Sequence, residues 1–389
     1  MFTRLSLALT LFLGLLAAPL HAFETQASAA YVIDHNTGQV LLDVDADVPL
    51  PPASMSKLMT INMVFEALED GRLTLETMLP VSQEAMDYGG STMFLTTRDR
   101  VSVEDLLRGV IVLSGNDASA VLAEALSPDG TEAGFADLMT QRARQLGMMN
   151  STFRNSNGWP ELGHVMSVRD LGILAQRLIT EFPQYYPYFA ETEFAFDGRA
   201  PDNRFNRNPL LALGIGADGL KTGHTEAAGY GLVGSAQQGD RRVTFVIAGL
   251  PSAEARAREA ERIVNWSFRQ FAEREVVAPG TLVTEAEVFL GNAATVGLET
   301  AAGVTMLLPA LIDDGVEAEA VFTGPIPAPI AEGQELGYLV IRVEGFEDRT
   351  VPLLAAESVG MAGFMDRLRT AADQVMQMIR NGTDTLAAG

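Results

Sequence analysis

The amino-acid sequence predicts an α/β (α+β) domain, followed by a small all-β domain and a terminal amphipathic helix. Helical hydrophobic patterns alternate with strand-like segments as far as residue 271. From residue 276 to 357 the chain is rich in Val, Gly and Pro, with short alternating runs, as in a β-sandwich-type domain. Residues 360–380 carry one apolar stripe. With 389 residues, 47% hydrophobic and 20% charged, the chain is long enough for two or three domains with substantial cores.

The first 22 residues resemble a secretory signal peptide rather than part of the fold. Arg4 provides a positive start, residues 5–16 are apolar but too short to span a bilayer comfortably, and Leu20-His21-Ala22 forms a small-residue cleavage pattern. The alternative is an uncleaved anchor, but Pro19 and the polar stretch after Ala22 argue against it. We therefore expect an exported protein.

Composition excludes several classes of function. The formal charge of −23 disfavours binding to nucleic acid. The absence of Cys excludes thiol nucleophiles, disulfides and Cys-based metal sites. After loss of the signal peptide only His35, His164 and His224 remain, and their scatter argues against a His-based metal centre. We expect no metal and no cofactor.

The first domain begins with a predicted hairpin over residues 30–43, where two apolar stretches flank Asn36-Thr37-Gly38. A buried helix is predicted from Ser54 to about Leu68, since its residues are apolar almost all round. Ser102 resembles the cap of a helix that continues to Leu113, and helical character resumes at residues 118–126. Two further helices are predicted to begin after Thr131 and Ser167, ending near Gly147 and Thr180.

The rest of the first domain is predicted to contain three strands and a helix. Strands are expected at residues 220–222, 230–236 and 243–248, followed by a helix over about 254–271. The predicted divisions are residues 1–22 for the signal peptide, 23–273 for the first domain, 274–357 for the β-rich domain and 358–381 for the terminal helix.

Lysine usage points to two positions. Of 27 basic residues, 25 are Arg, and the two Lys are Lys57 and Lys221. Arg is the one base that cannot lose its proton in a protein, so the two Lys positions are candidates for a compact ammonium or a neutral amine.

Ser54 and Lys57 form a candidate nucleophile and base. A spacing of three at a helix N-terminus places both side chains on one face, within contact distance. Serine needs an adjacent base, and lysine serves as one when burial or another cation lowers its pKa. A lone S-x-x-K pattern is weak evidence, but here it falls on one of only two lysines.

Two further patterns acquire meaning in combination. Lys221-Thr222-Gly223 lies on a predicted strand, where glycine would let a substrate backbone approach and Lys and Thr offer donors to a carboxylate. Ser114-Gly115-Asn116 interrupts two apolar helices. Alone, the first is more simply a strand end with a turn glycine, and the second more simply a helix-linking turn with Ser as a cap. Ser114 follows Ser54 by 60 residues and precedes Lys221 by 107.

In order and spacing, the three motifs resemble those of the serine penicillin-recognising enzymes. The surrounding segments 52–60 and 218–225 are similar to the low-molecular-mass D-alanyl-D-alanine carboxypeptidases of the penicillin-binding protein 5 and 6 type. The likeness also includes residues 146–148 and 155–158, the β-rich domain and the terminal helix. It implies a β-lactamase/transpeptidase-like domain, with an antiparallel sheet flanked by helices.

The resemblance also implies a role for each residue. Ser54 would attack the carbonyl of a D-Ala–D-Ala bond, and Lys57, kept partly neutral by burial and Lys221, would take its proton. Ser114 would relay a proton to the leaving D-alanine, and Asn116 would orient Lys57. The remaining expected site residues bind the substrate. Lys221 and Thr222 would hold its terminal carboxylate, with Gly223 beside them on the strand, and the backbone N–H groups of Ser54 and His224 would form the oxyanion hole. Arg256 would also bind the carboxylate, with Arg258 and Arg262 as open alternatives.

By the same resemblance, the substrate is a peptidoglycan stem peptide, β-lactam antibiotics are inhibitors, and the enzyme lies in the periplasm. A D,D-endopeptidase of the same superfamily is the nearer alternative, and a non-catalytic scaffold in the cell envelope is an alternative of another class. A class A β-lactamase would need a Glu that activates water. Glu161 is available, but position 165 is Val rather than Asn, and a β-rich domain is foreign to those enzymes.

The terminal helix is predicted to lie on a membrane. Its stripe from Met361 to Ile379 is wide, yet Asp366, Arg367, Arg369 and Asp373 make the segment too polar to cross a bilayer. The resemblance implies peripheral attachment to the outer face of the cytoplasmic membrane. The alternative is a helix docked on the β-rich domain.

Overall fold

The computed structural model describes residues 23–199, 201–310, 316–343 and 346–364. Seven α-helices occur in these ranges: α1 Lys57–Glu69, α2 Gln83–Met86, α3 Val103–Arg108, α4 Asn116–Leu126, α5 Glu132–Gln145, α6 Val168–Thr180 and α7 Ala253–Arg269. The strands of the N-terminal part are β1 Ala29–Asp34, β2 Val40–Val44, β3 Met78–Pro80, β4 Arg100–Ser102, β5 Ala217–Thr225, β6 Gly229–Gln238 and β7 Arg241–Leu250. Those that follow are β8 Phe271–Val277, β9 Leu282–Phe289, β10 Thr295–Thr300, β11 Val304–Pro309, β12 Val316–Phe322, β13 Ile326–Pro327, β14 Glu335–Val343 and β15 Arg349–Ala355.

A five-stranded antiparallel sheet forms the centre of the N-terminal part, with strand order β2-β1-β7-β6-β5. Helix α7 covers one face, where Ile263 and Val264 pack against Phe245 and Ile247. The other face lies under α1, α6 and the remaining helices, which share the larger apolar core. Strand β5 is at the edge of the sheet, so its outer side is open to a further strand.

The chain from β8 to β15 is all β, as the sequence predicts. Six strands form one sheet in the order β12-β14-β15-β10-β9-β13, and β8 pairs with β11. Both sheets contribute to a separate apolar core. The side chain of Gln39, in the loop between β1 and β2, makes two hydrogen bonds with the backbone of Leu307 in β11.

Several element boundaries differ from the prediction. The helix expected from Ser54 begins with a 3₁₀ turn over Ala53–Ser56, and α1 starts at Lys57. The helix capped by Ser102 changes at residue 109 into a π-helical turn, Gly109–Leu113. The predicted boundary between residues 273 and 274 falls inside β8.

The end of the chain lies mostly outside the described residues. Val359 pairs with Ile330 and Met361 pairs with Gly291, so these positions belong to the β-rich part and not to a helix starting at residue 358. Residues 365–389, which carry most of the predicted amphipathic helix, are outside the described ranges. Among the residues described, no helix has the length and apolarity needed to cross a membrane.

Candidate active site

Three segments meet at a cavity of about 600 Å³: the turn before α1, the break between α3 and α4, and strand β5. The predicted residues at its surface are Ser54, Ser114, Asn116, Thr222, Gly223, His224 and Arg256. Lys57 and Lys221 are buried directly beneath them. Residues separated by up to 202 positions in the sequence are thus brought to one site.

Ser54 and Lys57 are in contact, as their spacing predicts. The Lys57 Nζ atom lies 3.0 Å from Ser54 Oγ. The same nitrogen is 2.7 Å from Asn116 Oδ1 and 2.7 Å from the carbonyl oxygen of Asn157. These two amide oxygens can only accept hydrogen bonds. A neutral amine, which has two hydrogens, would satisfy both of them and keep its lone pair directed to Ser54.

Burial gives Lys57 the pKa that this arrangement needs. The side chain is inaccessible to solvent, and this burial, together with the positive charge of Arg207, lowers its pKa to about 7. Glu132 and Asp117 act in the opposite direction. Half of the Lys57 amines are therefore neutral near pH 7. Lys57 and Lys221 also repel each other, and this repulsion lowers the pKa of Lys221.

Ser114 occupies a backbone conformation that few residues adopt. Its φ of 61° and ψ of 34° are in the left-handed region, at the end of the π-helical turn. At the start of the π turn, Gly109 lets Met93 pack closely, because a Cβ there would lie 2.1 Å from Met93 Sδ. The backbone N–H of Gly115 donates to the carbonyl of Gly109 at 2.9 Å. This irregularity turns the hydroxyl of Ser114 into the cavity.

Asn116 is the first residue of α4 and has a fixed orientation. Its Nδ2 donates to the carbonyl oxygen of Gly89 at 2.8 Å, which leaves Oδ1 for Lys57. The next residue, Asp117, accepts hydrogen bonds from the backbone N–H groups of Met93 and Leu95, and ties the adjacent loop to the helix. The predicted role of Asn116 in orienting Lys57 is consistent with these contacts.

Lys221 is buried beside Ser114. Its Nζ lies 2.9 Å from Ser114 Oγ and 3.2 Å from the carbonyl oxygen of Thr222. Burial lowers its pKa well below the usual value, and the charges of Lys57, Arg207 and Arg256 lower it further. No carboxylate lines the cavity within the described part of the chain. The site is consequently an electropositive recess in an acidic protein.

Gly223 lines the cavity and also has a packing role. A Cβ at this position would lie 2.9 Å from Met55 Cγ and 2.9 Å from the carbonyl oxygen of Pro52. The missing side chain therefore lets the turn that carries Ser54 pack against β5. The neighbouring His224 is exposed and stacks on Tyr230, with ring centroids 3.9 Å apart.

Of the three candidate arginines, only Arg256 lines the cavity. Its guanidinium is largely buried and lies over the ring of Tyr230, and its Nε has no hydrogen-bond partner in the described structure. Arg258 and Arg262 lie on the opposite, outer side of α7, beside Phe23. Arg256 is therefore the one of the three that faces a ligand in this site.

Arg207 also lines the cavity, although no sequence motif marks it. Its Nη2 donates to Ser91 Oγ at 2.7 Å, to the carbonyl of Leu113 at 2.6 Å and to Asn203 Oδ1 at 3.2 Å. Arg207 thus fixes the backbone next to Ser114. The only sequence signal is a polar segment before β5, too weak to distinguish one Arg among 25.

The loop of residues 155–164 forms the wall of the site opposite β5. Ser156 and Asn157 of this loop donate to the buried carboxylate of Glu132. His164 accepts a hydrogen bond from the Arg154 backbone N–H at its Nδ1 and contacts Ser56 Oγ through Nε2 at 2.8 Å. Burial lowers the pKa of His164 to about 4, so it is neutral at pH 7.

Glu161 lies on the outer side of this loop. Its carboxylate is near Asn155 Nδ2, at 3.3 Å, and the side chain is exposed outside the cavity. It is therefore not placed to activate a water molecule at Ser54. Among the residues described, no group of three or more His, Asp or Glu side chains is arranged to hold a metal ion.

Comparisons with known proteins agree with this geometry. Residues 17–252 match the peptidase S11 family of D-alanyl-D-alanine carboxypeptidases, and residues 271–360 match the C-terminal domain of penicillin-binding protein 5. The chain is 34% identical over 354 residues to D-alanyl-D-alanine carboxypeptidase DacC of Escherichia coli, covering 89% of this chain and 87% of the relative. It is 33% identical to DacF of Bacillus subtilis, covering 90% of each chain.

Solved structures show the same architecture. Penicillin-binding protein 5 of Haemophilus influenzae superposes with a TM-score of 0.74 and 31% identity, covering 87% of this chain and 98% of that one. Penicillin-binding protein D2 of Listeria monocytogenes, solved in an ampicillin-bound form, superposes with a TM-score of 0.57 and 31% identity, over 63% of this chain and 98% of that one.

Proposed function

Because the chain belongs to the D-alanyl-D-alanine carboxypeptidase family, we propose that Ser54 is the nucleophile with which it cleaves its substrate. The protein is a serine-type carboxypeptidase and a penicillin-binding protein. It hydrolyses the terminal D-Ala–D-Ala bond of peptidoglycan stem pentapeptides, releases D-alanine and is acylated by β-lactams. The observation that carries the proposal for Ser54 is the 3.0 Å contact between its Oγ and the amine of Lys57.

Acylation starts with a proton transfer. The neutral amine of Lys57 takes the proton of Ser54 as Oγ forms a bond to the carbonyl carbon of the penultimate D-Ala. The carbonyl electrons move to its oxygen, which the backbone N–H groups of Ser54 and His224 would stabilise. When these electrons re-form the carbonyl double bond, the bond to the nitrogen of the terminal D-alanine breaks. Water then hydrolyses the acyl-ester and regenerates Ser54.

The leaving group needs a proton. Ser114 and Lys221 are 2.9 Å apart and lie between Lys57 and the position of the leaving nitrogen in this proposal. Ser114 donates its proton to the leaving nitrogen of D-alanine and recovers one through Lys221 from the protonated Lys57, so that the proton taken from Ser54 ends on the leaving group. The left-handed backbone of Ser114 holds the hydroxyl for this step.

Hydrogen-bond donors and cations elsewhere in the cavity bind the terminal carboxylate of the substrate. Thr222 and Arg256 line the cavity, and the unpaired Nε of Arg256 is available for a charge-assisted hydrogen bond. Lys221 and Arg207 add positive potential. The substrate backbone would pair with the outer edge of β5, as an added strand does.

The absence of a carboxylate from the described lining of the cavity favours a peptidase over a β-lactamase. A fast β-lactamase needs a Glu beside the acyl-ester to activate water, and Glu161 points elsewhere. The adduct with penicillin should therefore be long-lived. A non-catalytic scaffold would have no reason to bury two lysines beside two serines.

We expect the protein to release D-alanine from a pentapeptide that ends in D-Ala–D-Ala. The same assay on a cross-linked peptide dimer distinguishes the endopeptidase alternative, because cleavage there separates two peptides without releasing free D-alanine. Preference for the dimer by tenfold or more in kcat/KM would overturn the carboxypeptidase assignment. Labelled penicillin, added beforehand, should block both reactions.

In this proposal, residues 1–22 direct export, and the amphipathic helix predicted within residues 358–381 attaches the mature enzyme to the outer face of the cytoplasmic membrane. The sequence places Phe364, Leu368, Val375 and Ile379 on one apolar stripe. Phe364, where the described structure ends, is 70% exposed and therefore available to a lipid surface. The sequence supports attachment by burial of these apolar side chains rather than by charge, because the charges of the nearby acidic and basic residues almost balance.

Truncation after Gly363, which keeps Val359 and Met361 in the β-rich part, should therefore abolish co-sedimentation with liposomes while D-alanine release continues. Binding of the full chain should resist added salt, because apolar burial is not screened. Equal partitioning of the truncated and full chains, both active, would show that residues 364–389 are not the anchor.

A further inference from the structure

The carboxylate of Glu132 lies behind the described lining of the catalytic cavity and contacts two of the loops that surround Lys57. Glu132 is the first residue of α5 and is only 5% exposed. We propose that Glu132 is a positioning residue, which holds both amide oxygens that accept hydrogen bonds from Lys57 and so keeps the amine directed to Ser54. The inference rests on the proposed function, since it takes Lys57 as the base that activates Ser54.

The first set of contacts fixes the backbone carbonyl that faces Lys57. Glu132 Oε1 accepts hydrogen bonds from the backbone N–H of Ser156 at 2.8 Å, from the hydroxyl of Ser156 and from Asn157 Nδ2 at 3.4 Å. The carbonyl oxygen of the same Asn157 lies 2.7 Å from Lys57 Nζ. The carboxylate therefore holds the residue whose carbonyl accepts from the base.

The second set of contacts leads to the other acceptor. The hydroxyl of Tyr88 donates to Glu132 Oε2 at 2.5 Å. The next residue, Gly89, uses its carbonyl to accept from Asn116 Nδ2 at 2.8 Å, and this leaves Asn116 Oδ1 for Lys57 at 2.7 Å. One carboxylate thus connects the two loops that orient the acceptors of Lys57.

A carboxylate suits this position chemically. It offers only acceptors, about four lone-pair sites on two oxygens, and here it meets four donor groups. The N-terminus of α5, which is capped by the hydroxyl of Thr131 at 3.0 Å from the Gly134 N–H, favours a negative charge in its first turn. Removal of the Glu132 side chain would leave these buried donors unpaired and free the two loops to shift.

The charge of Glu132 also acts on Lys57. It raises the pKa of Lys57, against the larger lowering by burial and by Arg207. The other ionisable groups that face Lys57 are Asp117 on α4, Lys221 on β5 and His164 in the loop of residues 155–164, which is neutral at pH 7. Loss of the Glu132 charge alone should lower the pKa of Lys57 further, so that the neutral amine persists to lower pH.

The test measures the rate constant for acylation by labelled penicillin as a function of pH in the full chain and its variants. In the parent this rate should be half of its maximum near pH 7, the pKa of Lys57. Glu132→Gln keeps an acceptor oxygen but removes the charge, so the half-maximal pH should fall by about one unit while the maximum stays within about threefold. Glu132→Ala also removes the acceptor, and its maximum should fall more than about tenfold.

Two further variants show whether the effect passes through this carboxylate. Tyr88→Phe keeps the ring against Trp159 and removes the hydroxyl, and should lower the maximum about threefold in the parent but have no effect when combined with Glu132→Ala. Glu124→Gln is the matched control, because Glu124 is also partly buried and also accepts from a serine, at 2.6 Å from Ser82 Oγ. Its half-maximal pH and its maximum should equal those of the parent.

The outcomes distinguish positioning from simple packing. If the half-maximal pH of Glu132→Gln stays in place or rises, or if its maximum is as low as that of Glu132→Ala, the proposal is wrong. An equal maximum for Glu132→Ala and the parent would also overturn it. If thermal unfolding shows that Glu132→Ala does not fold, the shift in Glu132→Gln and the loss in Tyr88→Phe decide the question. Absence of labelling in the parent overturns the proposed function itself.

Discussion

Replacing Ser54 with alanine is expected to abolish both labelling by penicillin and release of D-alanine. Both reactions pass through an ester on Ser54 Oγ, and in the described structure this is the serine hydroxyl in contact with Lys57. Loss of the nucleophile should lower the acylation rate by more than about 1,000-fold. The measurement is gel detection of a fluorescent penicillin, together with an enzymatic assay for D-alanine.

Ser56→Ala is the matched control. Ser56 lies two residues further on, but its hydroxyl contacts His164 and not a lysine. The Ser56→Ala variant should keep its penicillin label, even if the lost hydrogen bond lowers its stability by about 1 kcal/mol. A label that persists in the Ser54→Ala variant, mapped to any other serine, would refute the assignment of the nucleophile.

The sequence was most informative where a residue type is rare. Lys57 and Lys221 stand out among 27 basic residues, and both are buried at the site. Local spacing also predicted the Ser54–Lys57 contact, since both residues lie in one helical turn. The helix caps at Ser102, Thr131 and Ser167 are confirmed by their hydrogen bonds, because capping depends only on nearby residues.

Contacts made by the backbone or across long distances were not predicted. The acceptor opposite Lys57 is the carbonyl of Asn157, and a carbonyl group carries no sequence signature. Arg207 reaches Leu113 across 94 residues. Ser114 is left-handed at the end of a π turn, Gly109 is in close contact with Met93, and Gly223 is in close contact with Met55. In each case the determining partner lies on another element.

The pH dependence of acylation follows from the environment of Lys57. Burial and Arg207 lower its pKa to about 7, so the neutral amine predominates above this pH and disappears below it. The rate constant for acylation should therefore fall about tenfold for each pH unit below 7. Arg207→Gln removes the cation that helps to lower the pKa, and should move this acidic limb to higher pH. An unchanged limb would mean that another group controls the rate.

Lys57→Arg should be as damaging as Lys57→Ala, although it conserves the positive charge. A guanidinium cannot accept the proton of Ser54 near neutral pH, and its planar group does not fit the three acceptors around Nζ. We expect acylation by penicillin to fall by more than about 1,000-fold in both variants. Thermal unfolding of each variant identifies any loss that comes from misfolding, because Lys57 is fully buried. If the folded Lys57→Arg variant acylates within about tenfold of the parent, Lys57 acts through its charge and another group must be the base.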